Sequence, residues 1–443
     1  MRQRLGLKQL GFLRERRTAV LLLGLIALLG GLLTGRDLLF NLAYLLGLLL
    51  ILSFLWAWVN IRYVHLSRVT RTRRTQVGRP LEERFVVRNT SSVPKLWLEV
   101  RDYSDLPGHF SSHVVNNLGR KSQHSWRVTT LCRERGRYQL GPMRLTSSDP
   151  FGLFTMRRDL TPTTNVVIYP MTFDIHQFAL PIGMLPGGDA LRRRTHYITT
   201  NASGVRDYAP GDSFSRIHWR STARRDRLIV KEFELDPLAD IWIVPDMAQF
   251  DHVVGKREGH ATKKSKGDLP PWMQLEEFTL PESTEEYMVT VSASLAQYFI
   301  RRDRAVGMLA YGQSSEILQP DRGERQMNRI LETLSVLRAE GQVPISDMMS
   351  TELNMFPRGT TVIVITPTVR EQWAIAARQL VRRGLRIVTV LIDPASFGTA
   401  RSSAALAGLL QANGMVTYVV QNGDDLTATL SRPQKQGSFA IVV

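Results

Sequence analysis

TAVLLLGLIALLGGLLT (Thr18 to Thr34), GRD (Gly35 to Asp37) and LLFNLAYLLGLLLILSFLWAWV (Leu38 to Val59) follow one another near the start of the chain. The two outer stretches are uncharged and 17 and 22 residues long. As helices rising ~1.5 Å per residue they span roughly 25 and 33 Å, against a hydrocarbon core of ~30 Å. Three residues between them cannot carry a domain across a bilayer. The reading is therefore a transmembrane helical hairpin over residues 18–59, with both outer ends on one side. A cleaved signal peptide is the competing reading of the first stretch, but no small-x-small site follows it and a second apolar helix begins at once. Trp56, Trp58 and Tyr63 stand where an aromatic belt belongs.

Charge assigns the side. Residues 1 to 80 hold thirteen Arg and Lys against Glu15 and Asp37, which places +11 of the chain's +17 around the hairpin. Basic flanks favour the cytoplasm, so residues 1–17 are expected to be a basic cytoplasmic N-terminus and the soluble domains cytoplasmic. A cell-membrane protein with two helices follows, and the bilayer is its first partner. The same distribution argues against nucleic acid, which a basic excess spread over the soluble part would have suggested. Cys132 is the only cysteine, so neither an intrachain disulfide nor a CxxC metal site is available.

Beyond the hairpin the hydrophobic period becomes two. Phe85 and Val87 alternate with Arg84 and Arg88, Leu96, Leu98 and Val100 with Trp97, Glu99 and Arg101, and Trp126, Val128, Thr130 and Cys132 repeat the pattern. With turn signals such as NTSSVP and DLPG between them, these runs predict a β-sandwich over residues 60–170. His109 and His113 have the i, i+4 spacing of a helical metal pair but follow a Pro-Gly turn in a β region, which predicts a surface loop. In RERGRYQLGPMRLTSSDPFGLF (Arg133 to Phe154), Asp149-Pro150 reads as a turn that presents Phe151, Leu153 and Phe154 to a core, as a plug against the next domain.

Residues 171–235 form a linker and a charged motif. The motif is GVRDYAPGDSFSRIHWRSTARRDRLIVKEFE, Gly204 to Glu234. Pro210-Gly211-Asp212 is a turn, Asp212 caps a helix expected over Ser213 to Ala223, and a strand is expected from Arg227. Seven cations face five acids here, and interleaved signs suit Arg–carboxylate networks better than a phosphate-binding surface. Asp212 and His218 are six apart and no Ser stands in a GxSxG setting, so a catalytic triad is not announced.

Residues 236–443 alternate short apolar runs with helical stretches. IWIVP (Ile241 to Pro245), AVGMLAY (Ala305 to Tyr311), TVIVIT (Thr361 to Thr366), LRIVTVLI (Leu385 to Ile392) and MVTYVV (Met415 to Val420) read as strands. Helices are expected at about Ser283 to Arg302, Arg322 to Glu340, Val369 to Arg383 and Ser402 to Asn413. This predicts an α/β domain with a doubly wound, largely parallel sheet, whose ligands would sit beyond the strands' carboxyl ends. No P-loop, GxGxxG, HExxH or EF-hand pattern is present. The polar insertion Asp251 to Phe278 reads as a solvated loop, with a partner or lipid contact as its sharper reading.

RGRYQLGP…DPFGLF, VIYP (Val167 to Pro170) and the charged motif together resemble the bacterial domain of unknown function 58. The family-like positions include Arg206, Tyr208, Gly211, Asp212, Arg216, His218, Trp219 and Arg224. The resemblance implies association with MoxR-type AAA+ ATPases and von Willebrand factor A-like membrane proteins, and supplies no activity. The last domain resembles a von Willebrand factor A domain, whose metal site uses Asp-x-Ser-x-Ser; here Asp246 stands with Ala248 and Phe250 in the hydroxyl positions, a degenerate site. No cofactor and no metal are expected. The function expected is a membrane-anchored scaffold or adaptor docking a MoxR-type AAA+ ATPase or its client, without catalysis of its own. The alternative is a membrane-bound hydrolase or cell-envelope enzyme using Asp212, His218 and Asp246.

Overall fold

The computed structural model describes residues 6–180, 202–208, 217–225, 227–233, 240–255, 280–399 and 401–431. It divides into two compact units, Met1–Tyr169 and Pro170–Val443.

The first unit opens with α1 (Gly6–Thr34) and α2 (Asp37–Ile61), both long and apolar enough to cross a membrane. The turn closes at Gly35, whose φ of 64° suits a residue without Cβ, and Gly35 N–H donates to Gly31 O. Small residues let the helices approach: a Cβ at Gly31 would lie 3.3 Å from the Phe40 ring and one at Gly30 3.2 Å from Leu39. Apolar side chains such as Ile26, Leu32, Leu45 and Ile51 face outward, as lipid-facing residues do. The helix begins earlier than the apolar run because residues 6–17 continue it.

Ten strands follow: β1 (Val64–Thr70), β2 (Arg74–Gln76), β3 (Pro80–Asn89), β4 (Lys95–Asp102), β5 (Ser112–Leu118), β6 (Gln123–Leu131), β7 (Gly136–Leu140), β8 (Met143–Ser148), β9 (Thr155–Leu160) and β10 (Thr164–Tyr169). They form sheets ordered β1-β3-β6, β5-β4-β8-β9 and β2-β10-β7. The sheets β1-β3-β6 and β5-β4-β8-β9 share a core of Val64, Val87, Leu98, Val100, Val115, Leu118 and Leu145. Period-two alternation explains it, since every second residue of β3 points inward: Leu81, Phe85 and Val87 are fully buried. Leu96 departs from its expected inward place and is 43% exposed.

No slack joins α2 to this body. Lys95 is fully buried and donates through Nζ to Val59 O, one of the carbonyls that a helix C-terminus leaves unpaired. Asn60 Nδ2 donates to Ser147 Oγ at 2.6 Å and Trp97 O at 3.2 Å, while its Oδ1 accepts Leu96 N–H at 3.3 Å. Burial lowers the pKa of the Lys95 ammonium.

In the second unit, β11 (Ala202–Asp207) pairs antiparallel with β12 (Ile229–Phe233), and α3 (Trp219–Arg225) lies between them in sequence. The larger body comprises β13 (Ile241–Pro245), α4 (Thr284–Ile300), β14 (Val306–Tyr311), β15 (Ser315–Asp321), α5 (Gly323–Val336), α6 (Ile345–Thr351), β16 (Thr361–Thr366), α7 (Gln372–Arg382), β17 (Arg386–Ile392), α8 (Ala404–Ala412), β18 (Val416–Val420) and α9 (Leu426–Ser431). Its sheet runs β15-β14-β13-β16-β17-β18; all neighbours pair parallel except the edge strand β15. Trp242, Val244, Val362 and Val364 pack with residues of α6, α7 and α8 in one core. Continuous apolar strands suit a parallel sheet covered by helices, and β13 and β16 are buried at every position.

The helix expected over Ser213 to Ala223 is corrected at its described end. Ile217 forms an antiparallel bridge with Val230, His218 N–H donates to Ile229 O at 2.7 Å, and the helix starts only at Trp219. Pairing with β12 holds this backbone extended, and tertiary context overrides local propensity.

Candidate functional site

Three groupings of chemistry-bearing residues emerge among the described residues. The first is the charged motif. Arg206 lies on β11 opposite Val230, and Tyr208 N–H donates to Leu228 O at 2.9 Å. Asp207 and Arg227 pair across the hairpin at 3.1 Å, both more than half exposed, which contributes little stability. His218 precedes α3 and caps it: Nδ1 lies 2.7 Å from Ser221 Oγ and accepts Ser221 N–H at 3.2 Å. Trp219 is 67% exposed and Arg224 is exposed on the same short helix. Gly211, Asp212 and Arg216 lie outside the described residues. So do residues 256–279, which hold most of the polar insertion.

The second grouping lies at the carboxyl end of β13, beside that of β16, where strand order reverses direction along the sheet. Asp246 follows β13 and is 2% exposed. Its Oδ2 accepts Thr366 Oγ1–H at 2.6 Å and its Oδ1 accepts Ala248 N–H at 3.1 Å. Burial raises the carboxyl to about 7 against these two hydrogen bonds, and the nearby Asp251 charge adds to the rise. Arg370 pairs with Asp251 at 3.5 Å and its guanidinium lies 4.5 Å from the Phe250 ring centroid. Gly341 pins the loop: its N–H donates to Met247 O and its carbonyl accepts Gln249 N–H, and a Cβ there would fall 2.0 Å from Tyr311 O. A hard cation requires several oxygen donors; here both carboxylate oxygens are engaged, Ala248 and Phe250 offer no hydroxyl, and Arg370 supplies positive charge. The residues do not fit a metal. Thr366, Asp251 and Arg370 were not read from the sequence as members of this grouping.

The third grouping was missed, and it corrects the reading of His109 as a surface-loop residue. Inside the first unit, His109 is buried with Nε2 2.8 Å from Asp102 Oδ2 and Nδ1 2.8 Å from Thr130 Oγ1. Arg68 pairs with Glu83 at 3.2 Å and with Asp102, and its guanidinium lies 5.0 Å from the Phe85 ring centroid. His113 turns elsewhere, stacked on Trp126 at 4.4 Å. Glu83, Asp102 and His109 bring ligand atoms within 4.8 Å of one another. Arg68 already supplies the cation there, so the grouping reads as a closed ionic core. Burial raises the Glu83 carboxyl despite Arg68. For Asp102, burial acts upward but is outweighed by hydrogen bonds from His109, Arg68 and Ser104, which bring the carboxyl to about 2. A signal existed: Glu83 sits in phase with Leu81, Phe85 and Val87, a charge on the inward face of a strand.

Residues 204–264 match the family described as "Protein of unknown function DUF58". The chain is 21% identical over 223 residues to the uncharacterized protein YeaD of Bacillus subtilis (strain 168), covering 49% of this chain and 47% of that protein. It thus spans about half the length of the curated relative it matches. Among solved structures, the CARDB domain of a Pyrococcus furiosus protein is similar to 24% of this chain and 91% of its own, at 16% identity and a TM-score of 0.18. The alkylpurine DNA glycosylase AlkC of Pseudomonas fluorescens covers 31% of this chain and 41% of its own, at 15% identity and the same TM-score. The family whose model matches residues 204–264 is the one that the sequence pattern resembled.

Proposed function

We propose that this DUF58 chain is a membrane-anchored scaffold whose motif surface docks a MoxR-type AAA+ ATPase or its client, with the soluble units on the cytoplasmic side. The observation that carries the reading is Trp219, 67% exposed beside Arg220 and Arg224 on a helix fixed from behind by His218 and Ile217. A large aromatic held outward among arginines is the composition of a binding hot spot. The sheet order of the second unit and the place of Asp246 after its central strand support a von Willebrand factor A-like, doubly wound reading of residues 236–443. Such a domain with a filled, metal-unsuited switch point favours binding by protein contact.

The hydrolase reading draws less support. His218 uses Nδ1 to cap α3, and Asp246 keeps both oxygens on Thr366 and Ala248.

Affinity isolation from detergent-solubilised membranes tests the proposal. An AAA+ ATPase is expected to co-purify in a nucleotide-sensitive way, and Trp219→Ala should reduce its recovery about thirtyfold, the ~2 kcal/mol of a hot-spot aromatic. The melting transition should not move. Recovery insensitive to both nucleotide and Trp219→Ala contradicts docking at this surface. Turnover of a hydrolysable substrate that His218→Gln abolishes, with folding intact, would favour the enzyme instead.

A further inference from the structure

The sequence assigns Phe151, Leu153 and Phe154 to an apolar plug, yet only Leu153 is buried; Phe151 is 58% exposed. The turn that carries Phe151 is rigid. Buried Asp149 accepts Phe151 N–H at 2.9 Å and Phe154 N–H at 2.6 Å through its carboxylate, its carbonyl accepts Gly152 N–H, and its own N–H donates to Phe154 O. An exposed aromatic on a turn braced at both ends is presented outward by construction.

Its height is fixed by contacts within the same unit. The Phe154 ring meets Phe54 of α2 edge-on at 5.6 Å, and the Arg17 guanidinium of α1 lies 5.9 Å from the Phe154 ring centroid. Phe54 stands five residues before Val59, the last residue of the apolar run, or roughly 8 Å along a helix. Arg17 immediately precedes the uncharged run of α1. The turn is therefore level with the place where one helix gains its first charges and the other carries Trp56 and Trp58. Trp58 lies 4.1 Å beneath the Arg62 guanidinium, an arrangement suited to headgroup depth. The opposite end of the body differs: Phe110, 91% exposed, lies beyond the far end of β4, whose eight residues span roughly 25 Å from the end that Lys95 fastens to α2.

We infer that the turn Asp149–Phe154 is seated in the bilayer, with Phe151 placed in the boundary between phospholipid headgroups and acyl chains and Arg16 and Arg17 beside it facing anionic headgroups. The inference rests on the reading of α1 and α2 as transmembrane helices. Its partner is the lipid surface itself, recognised by an aromatic wedge and adjacent cations. The β-rich body is then held at the membrane by two points, the end of α2 and this turn.

Nitroxide labelling of the full chain in vesicles of phosphatidylethanolamine and phosphatidylglycerol tests this. Cys132 is buried, and burial pushes its thiol up to about 11, so it leaves the background unlabelled; Cys132→Ala replaces it if wild type takes label. Labels are placed at Phe151→Cys, at Leu28→Cys within the first span and at Phe110→Cys. The label at 151 is expected to collide with oxygen more than with a water-soluble nickel chelate, at a depth between those at 28 and 110. Pro150→Cys, exposed on the same turn, should report the same depth. A label at 151 as aqueous as that at 110, with the one at 28 in lipid, overturns the inference while the anchor stands. An aqueous label at 28 overturns the anchor and the inference together.

Discussion

Arg68→Met is expected to lower the melting temperature of the detergent-solubilised chain by roughly 6–20 °C, the effect of about 3–5 kcal/mol in a unit of this size. The substitution removes a cation from between two carboxylates that water does not reach: Arg68 is 5% exposed at its side chain, Glu83 and Asp102 not at all. His109 contacts both carboxylates as well, with Nε2 2.8 Å from Asp102 Oδ2 and 3.6 Å from Glu83 Oε2. The destabilisation should depend on pH in a definite sense. With Arg68 present, the Asp102 carboxyl titrates at about 2 in the fold, below its ordinary 3.8. Its contribution is therefore complete above about pH 4 and is lost as pH falls toward 2. Without Arg68, the Glu83 carboxyl, already raised by burial, loses the largest influence that lowers it and rises further, and the penalty grows as pH rises above its unfolded value. The deficit of Arg68→Met should thus be larger at pH 8 than at pH 5. Adding Glu83→Leu should recover part of it, because an apolar residue of similar size removes the unpaired charge. A deficit below 1 kcal/mol at pH 8 would mean that water reaches the cluster.

Asp246→Asn is expected to stabilise the second unit more at pH 8 than at pH 5. The wild-type carboxyl titrates at about 7 in the fold against 3.8 ordinarily. Between those values the native state holds a proton that the unfolded chain has released, so wild-type stability falls across the interval and stays low above it. The whole interval from 3.8 to 7 corresponds to about 4 kcal/mol, of which the two units between pH 5 and 7, about 3 kcal/mol, should open as a gap between variant and wild type over the range tested. Asparagine retains an oxygen for Ala248 N–H and offers an amide to Thr366. Denaturant melts of both proteins across pH 5 to 8 measure the gap; a difference that does not change with pH would show that Asp246 ionises as an ordinary surface acid.

The uneven legibility of this chain has a physical cause. Ile241–Pro245 and Thr361–Thr366 were readable to the residue because strands buried on both faces are continuous apolar runs. The edge strand Ser315–Asp321, exposed at alternate positions and carrying Glu316, Gln319 and Asp321, gives no such run. The helices Ile345–Thr351 and Leu426–Ser431 are too short to show a period. Around the candidate site, sequence distance conceals the chemistry. Arg68, Glu83, Asp102 and His109 come from three strands and a loop, and only the phase of Glu83 within β3 hinted at them. Thr366 lies more than a hundred residues from Asp246 and meets it because parallel strands align their carboxyl ends, and Arg370 reaches the same place by pairing with Asp251. His218 and Trp219 were legible as a motif, whereas their separation into a capping residue and an outward aromatic depends on pairing with β12.

The buried Lys95 and Asn60 have a mechanical implication. On the reading of α2 as a membrane span, the hydrogen-bonded splice at its end has no swivel, so any tilt or rotation of that helix is imposed on the β-rich body as a lever imposes its angle on a load. Inserting two or three glycines after Asn60 would disengage that lever without altering either end.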